Sequence, residues 1–81
     1  MYLVICYAIH NREIASIDKF DTETEAVKFL VDDATNTYNE EVANSGNNPN
    51  EIELDIDEDA ETAILNDYPA ECIWTWEIKE I

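Results

Sequence analysis

The sequence predicts an α+β domain in which a small antiparallel sheet is covered on one face by a single main helix. Three observations carry that expectation. Both chain ends are dense in β-branched and aromatic residues, one long segment between them carries an apolar stripe at helical spacing, and the elements run ββα, then β, a short α and β. Eighty-one residues make one domain, 1–81, with one core. A chain of this size buries only about 60–65% of the surface its unfolded form exposes.

Residues 1–10 (MYLVICYAIH) are too short and too rich in Val, Ile and Tyr to favour a helix, and they are apolar on both alternating faces, as a central strand is. His10, Asn11 and Arg12 form a polar break of hairpin length, with Asn11 the residue best suited to a positive φ. Residues 13–20 (EIASIDKF) resume as a second, more polar strand. Thr22 followed by Glu25 fits a capping box, and Glu23 and Glu25 favour the positive end of the helix dipole. The main helix is therefore expected over 22–43. Val27, Leu30, Val31, Ala34, Tyr38 and Val42 lie within about 60° on either side of Val27 at the helical repeat, with Phe29 on the polar side. Phe29 is expected to be covered by another element of the domain, the alternative being an interface anchor. Residues 44–50 (NSGNNPN) end the helix, with Gly46 placed as a C-cap.

Residues 51–57 alternate acids with Ile52, Leu54 and Ile56, the pattern of a half-buried strand whose outward positions are all anionic. Asp59 is positioned to cap a short helix reaching Tyr68, with Ala60, Ala63, Ile64 and Tyr68 inward and Pro69 stopping it. Residues 72–81 (CIWTWEIKEI) alternate again, with Cys72, Trp74, Trp76 and Ile78 on one face. No internal repeat is evident, nor any low-complexity tract beyond the Asn-rich loop.

Charge is the most unusual property of the chain: 20 acids against 4 Lys and Arg give a net charge of −16. The excess is uneven. Residues 1–20 sum to zero, whereas residues 21–71 hold sixteen acids against Lys28 alone. Such a surface is repelled by anionic lipid and nucleic acid, so direct binding to either is not expected. No apolar run approaches the roughly 18 residues of a membrane span, and residues 1–9 lack the basic flank and cleavage site of a signal peptide, so the expected location is the cytoplasm.

Residues suited to catalysis or metal binding are sparse. Cys6 and Cys72 have only His10 beside them, one soft ligand short of a zinc site, and Cys6 and His10 on one strand stand about 13 Å apart, too far for a nucleophile and its base. Both cysteines read as small core residues on neighbouring strands, and His10 as a turn residue. Residues 55–59 (DIDED) imitate the opening of a calcium loop, but Ala60 stands where Gly is needed and Asn66 where a bidentate Glu belongs. There is no phosphate loop, no Ser/His/Asp set and no cofactor motif, so the expectation is a non-enzyme without metal or cofactor.

The acids themselves remain as the candidate site. One cluster is Glu51, Glu53, Asp55, Asp57, Glu58, Asp59 and Glu61 on the third strand and its turn; the other is Asp32, Asp33, Glu40 and Glu41 on the helix. Alternate strand positions hold Glu51, Glu53, Asp55 and Asp57 in a line about 6.6 Å apart, close to the phosphate repeat of one nucleic-acid strand. A partner with a row of Arg and Lys could engage them in register.

Two resemblances bear on this. The hairpin ending in Phe20-Asp21-Thr22, followed by Glu25-Ala26-Val27-x-Phe29-Leu30, resembles many small bacterial and phage ββα proteins over about a third of the chain, which implies fold only. Composition and size resemble the phage-encoded DNA-mimic inhibitors, including anti-restriction and anti-CRISPR proteins. That resemblance implies an inhibitor acting in the host cytoplasm on a basic nucleic-acid-binding protein such as a nuclease or CRISPR effector. The domain is expected to be a monomer or homodimer. The alternative expectation is a small structural or assembly adaptor, acidic for solubility, that docks through an aromatic sheet face of Trp74 and Trp76 with Tyr2 or Tyr7.

Overall fold

The computed structural model describes residues 1–44 and 51–81, so the expected loop at 45–50 and the Gly46 cap lie outside the described residues. Five strands, β1 (Tyr2–Ala8), β2 (Glu13–Phe20), β3 (Ile52–Asp57), β4 (Thr62–Asp67) and β5 (Cys72–Glu80), form one sheet in the order β2-β1-β5-β4-β3. Every neighbouring pair is antiparallel. The two chain ends thus supply adjacent strands, and Ile81 N–H donates to the Met1 carbonyl at 2.9 Å.

One helix, α1 (Glu23–Asn44), connects the edge strand β2 to the opposite edge strand β3. At 1.5 Å per residue its 22 residues span about 33 Å, enough to cross the whole sheet. Its start is capped by the expected pair, Thr22 and Glu25: the Thr22 hydroxyl accepts from the Glu25 N–H at 3.2 Å and donates to Glu25 Oε1 at 3.0 Å, so the carboxylate meets the hydroxyl where a full capping box would place it on the Thr22 N–H.

The helix meets the sheet through Ala26, Leu30 and Ala34, all fully buried, over Val4, Cys6, Ala63, Leu65 and Trp76. The buried face is therefore rotated by roughly 60° from the stripe centred on Val27, Val31 and Tyr38. Small side chains explain the rotation, because Ala26 and Ala34 let the helix axis approach the large Trp76 and Leu65 closely. Phe29 is brought inward by the same turn and packs on Phe20 with ring centroids 5.1 Å apart, covered by the domain's own strand β2.

The structure corrects two local expectations. Arg12, not Asn11, takes the left-handed conformation at the β1–β2 turn, with φ 56°. The short helix from Asp59 to Tyr68 is instead the strand β4, flanked by two turns of the same build. In the first, Asp57 Oδ1 accepts from Ala60 N–H at 3.0 Å, Glu61 N–H donates to the Glu58 carbonyl, and Glu61 has φ 57°. In the second, Asp67 Oδ1 accepts from Ala70 N–H at 3.2 Å, Glu71 N–H donates to the Tyr68 carbonyl, and Glu71 has φ 56°. Asp-x-x-Ala-Glu recurs at 57–61 and 67–71, a ten-residue repeat. Pro69 sits second in its turn, where its fixed φ fits, so it shapes a hairpin rather than stopping a helix.

Candidate acidic interface

The edge strand β3 places Ile52, Leu54 and Ile56 towards the helix and Glu53, Asp55 and Asp57, all exposed, on the face that α1 leaves open. Residues facing these acids across the strand pair are Asn66, Ile64 and Thr62, none of them charged. Like charges directly opposite would destabilise the pairing, so the neutral partners on β4 are what make a continuous acidic row tolerable. Glu51, Glu58 and Asp59, also exposed, prolong the row at its two ends. Tyr68 Oη donates to Glu53 Oε2 at 3.1 Å, which raises the Tyr68 phenol above its ordinary pKa, and Asp57 holds its turn.

Glu61 differs from the rest of its cluster. It is half-buried at the end of the turn, and burial together with Glu23 and Glu80 raises its carboxyl above the usual range. Glu80 also raises the Tyr2 hydroxyl, chiefly by a hydrogen bond.

The helix acids separate. Asp32 is exposed and turns towards the β3–β4 turn, sharing a groove of about 410 Å³ with Glu58, Lys28, Val27 and Val31. Glu40 is exposed. Asp33 faces inward, and its Oδ2 accepts from the Trp76 indole N–H at 2.9 Å. Glu41 is half-buried beside Asp67, itself only 3% exposed, and burial followed by the Asp67 carboxyl pushes Glu41 up to about 7. The structure thus brings Asp32 to the strand cluster and gives Asp33 and Glu41 partners within the fold.

The aromatic residues do not share one open face. Trp76 is 1% exposed beneath α1, Trp74 and Tyr2 pack against the same core, and Tyr7 lies on the opposite side of the sheet. His10 packs edge-on against Trp74 at 4.7 Å, and its Nδ1 lies 3.1 Å from both the N–H and the carbonyl of Ile73. In the neutral ring Nδ1 accepts that N–H, so His10 ties the β1–β2 turn to β5. Cys6 is buried and its thiol is pushed up to about 11 by burial and by Asp33, while Cys72 is half-buried; both are free. Among the described residues no set of three or more His, Cys, Asp and Glu could hold a metal ion, and no helix is long and apolar enough to cross a membrane.

Sequence reasoning missed the helix-free side of the sheet. Register places Ile17 beside Ile5 and Ile14 beside Tyr7, facing away from the helix, with Ile64 exposed further along. The signal was present in Ile14 and Ile17 of the second strand, but the misread β4 concealed that Ile64 completes the same face. No protein family, curated protein or solved structure matches the chain.

Proposed function

We propose that this protein is a non-enzymatic inhibitor or regulator that presents its β3 edge as a nucleic-acid-like surface to the basic groove of a DNA- or RNA-handling protein, and so competes with the nucleic acid. The observation that carries the reading is the exposed carboxylate row Glu53, Asp55 and Asp57 on an edge strand, continued by Glu58, Asp59 and Asp32. An edge position leaves the row open to a groove wall, and its regular spacing suits a run of Arg and Lys.

Charge density supports the same reading. Sixteen net charges along a longest dimension of 38 Å amount to about one per 2.4 Å, against about one per 1.7 Å for duplex DNA. Complementary fields of this strength accelerate encounter and make the complex salt-sensitive. The target class is a nuclease or CRISPR effector of a host cell, engaged in the cytoplasm.

The test is a pull-down from host lysate at low and at 0.5 M salt, roughly five times the ionic strength at which the screening length is already about 10 Å. The recovered partner is then assayed for nucleic-acid binding with and without this protein. Expected are a salt-labile complex and competition, both lost on charge reversal at Glu53, Asp55 and Asp57. Recovery of only proteins that bind no nucleic acid, or binding unchanged by the reversal, refutes the proposal.

A further inference from the structure

The β1–β2 hairpin carries an exposed apolar patch on the face away from α1. Val4 and Cys6 of β1 are buried beneath the helix and Ala8 is buried on the same face, so Leu3, Ile5 and Tyr7 point the other way. Residues directly paired across strands share a face, which adds Ile17 beside Ile5 and Ile14 beside Tyr7. Ile14 is 54% exposed, Ile17 51% and Tyr7 37%. A contiguous patch of large side chains on so small a protein marks a contact surface.

Its electrostatics differ from those of the rest of the molecule. Leu3 stands in register between Lys19 and Lys79, two of the chain's four cations, and Glu77 beside Ile5 is the acid that register sets next to the patch. A basic partner is drawn to β3 and repelled here. Conversely, two copies of the chain repel each other almost everywhere except at this hairpin, whose first twenty residues sum to zero charge.

We infer that this face is the interface of a two-fold homodimer, hairpin against hairpin, with the two β3 edges directed outward at opposite ends. The contact is isologous, each Ile14–Ile17 pair covering the Ile5–Tyr7 pair of the other copy. The hairpin with the adjoining strand β5, three strands' width of sheet, supplies roughly 1,000 Å² of buried surface in total, at the lower end of specific interfaces, so the dimer is weak and reversible. Net repulsion between two chains of −16 opposes it, so added salt strengthens self-association. That is the reverse of the salt response of the acidic edge, and the two ideas fail independently.

The experiment is analytical ultracentrifugation of the full chain from low to high micromolar concentration, at low and at physiological salt. The apparent mass is expected to rise from 9.3 kDa towards twice that value, and to do so at lower protein concentration when salt is added. Ile17→Lys and, separately, Ile14→Lys are expected to hold the chain at single mass at every concentration, while Ile64→Lys on β4 leaves the rise intact. All three side chains are solvent-exposed, so each variant is expected to fold, and circular dichroism is the check. A single mass throughout for the parent chain overturns the inference, as does dimerisation that Ile17→Lys and Ile14→Lys leave unchanged.

Discussion

At the scale of single residues, the two helix acids with partners inside the fold account for more than the exposed ones. Trp76 is the largest fully buried side chain, and an indole N–H in a core needs an acceptor, which Asp33 supplies. Asp33→Ala leaves that donor orphaned and is expected to cost about 1–3 kcal/mol in urea unfolding. Asp33→Asn, which keeps an acceptor oxygen, should recover most of the loss. A cost within about 0.5 kcal/mol for the alanine variant would mean the indole is satisfied by water. Glu41 governs a pH dependence. Burial and the neighbouring Asp67 raise its carboxyl from the ordinary 4.5 to about 7, so the folded state holds a proton that the unfolded chain releases. Stability from this group is fully present below about pH 4.5 and is lost as pH rises through about 7, the direction opposite to that of an ion-paired carboxylate. Glu41→Gln should remove that decline and stabilise the fold at pH 8 by about 1 kcal/mol, after allowance for solvent screening of a half-buried group. Denaturant melts at pH 5 and 8 measure it; an unchanged slope in Glu41→Gln assigns the decline elsewhere.

At the scale of elements, what the sequence revealed and what it hid have one physical cause. The strands β1, β2, β3 and β5 and the helix were legible because alternation, the 3.6-residue repeat and the Thr22 capping box each register a local preference. The strand β4 was not, because its bounding turns use Glu61 and Glu71 in the left-handed position where Gly or Asn is the usual signal. An acid followed by Ala60, Ala63 and Ile64 then reads as a helix, and only the Asp-x-x-Ala-Glu repeat at 57–61 and 67–71 marks two equivalent turns. The helix phase is hidden in the sequence for a related reason. Alanine contributes little to an apolar stripe yet permits the closest packing, so Ala26 and Ala34 fixed the buried face. That phase decided which acids stayed free: Asp32 remained at the surface and Asp33 did not. The turns give a direct prediction. A left-handed φ costs a residue with a Cβ about 1 kcal/mol and glycine nothing, so Glu71→Gly should gain about 0.5–1 kcal/mol. Glu71→Gln separates backbone from charge, and equal gains for both variants would show that only the charge matters.

At the scale of the whole molecule, the fold has to be stable against its own charge. The dimensions of 38 × 22 × 17 Å are only a few times the screening length at 0.1 M salt, about 10 Å, so most carboxylates feel several others. Segregation lessens the cost: the neutral β1–β2 hairpin supplies two of the five strands, while the acids collect on the β3 edge, its turn and the outer surface of α1. Two groups whose carboxyls are raised, Glu41 and Glu61, show where crowding and burial meet. Unfolding spreads the same sixteen net charges over a larger volume, so repulsion favours the unfolded chain and salt screens the compact state more strongly. The melting temperature should therefore climb by several degrees between low and about 0.5 M sodium chloride, equivalent to about 1–2 kcal/mol for a domain of this size. Mild acid acts in the same direction, since protonating crowded carboxylates relieves the same repulsion. Replacing Glu53, Asp55 and Asp57 by Gln, Asn and Asn should raise the melting temperature at low salt and flatten its salt dependence. If the triple variant melts at the same temperature as the parent, the edge acids carry no folding penalty, and their concentration on β3 is no longer a stability sacrificed for binding.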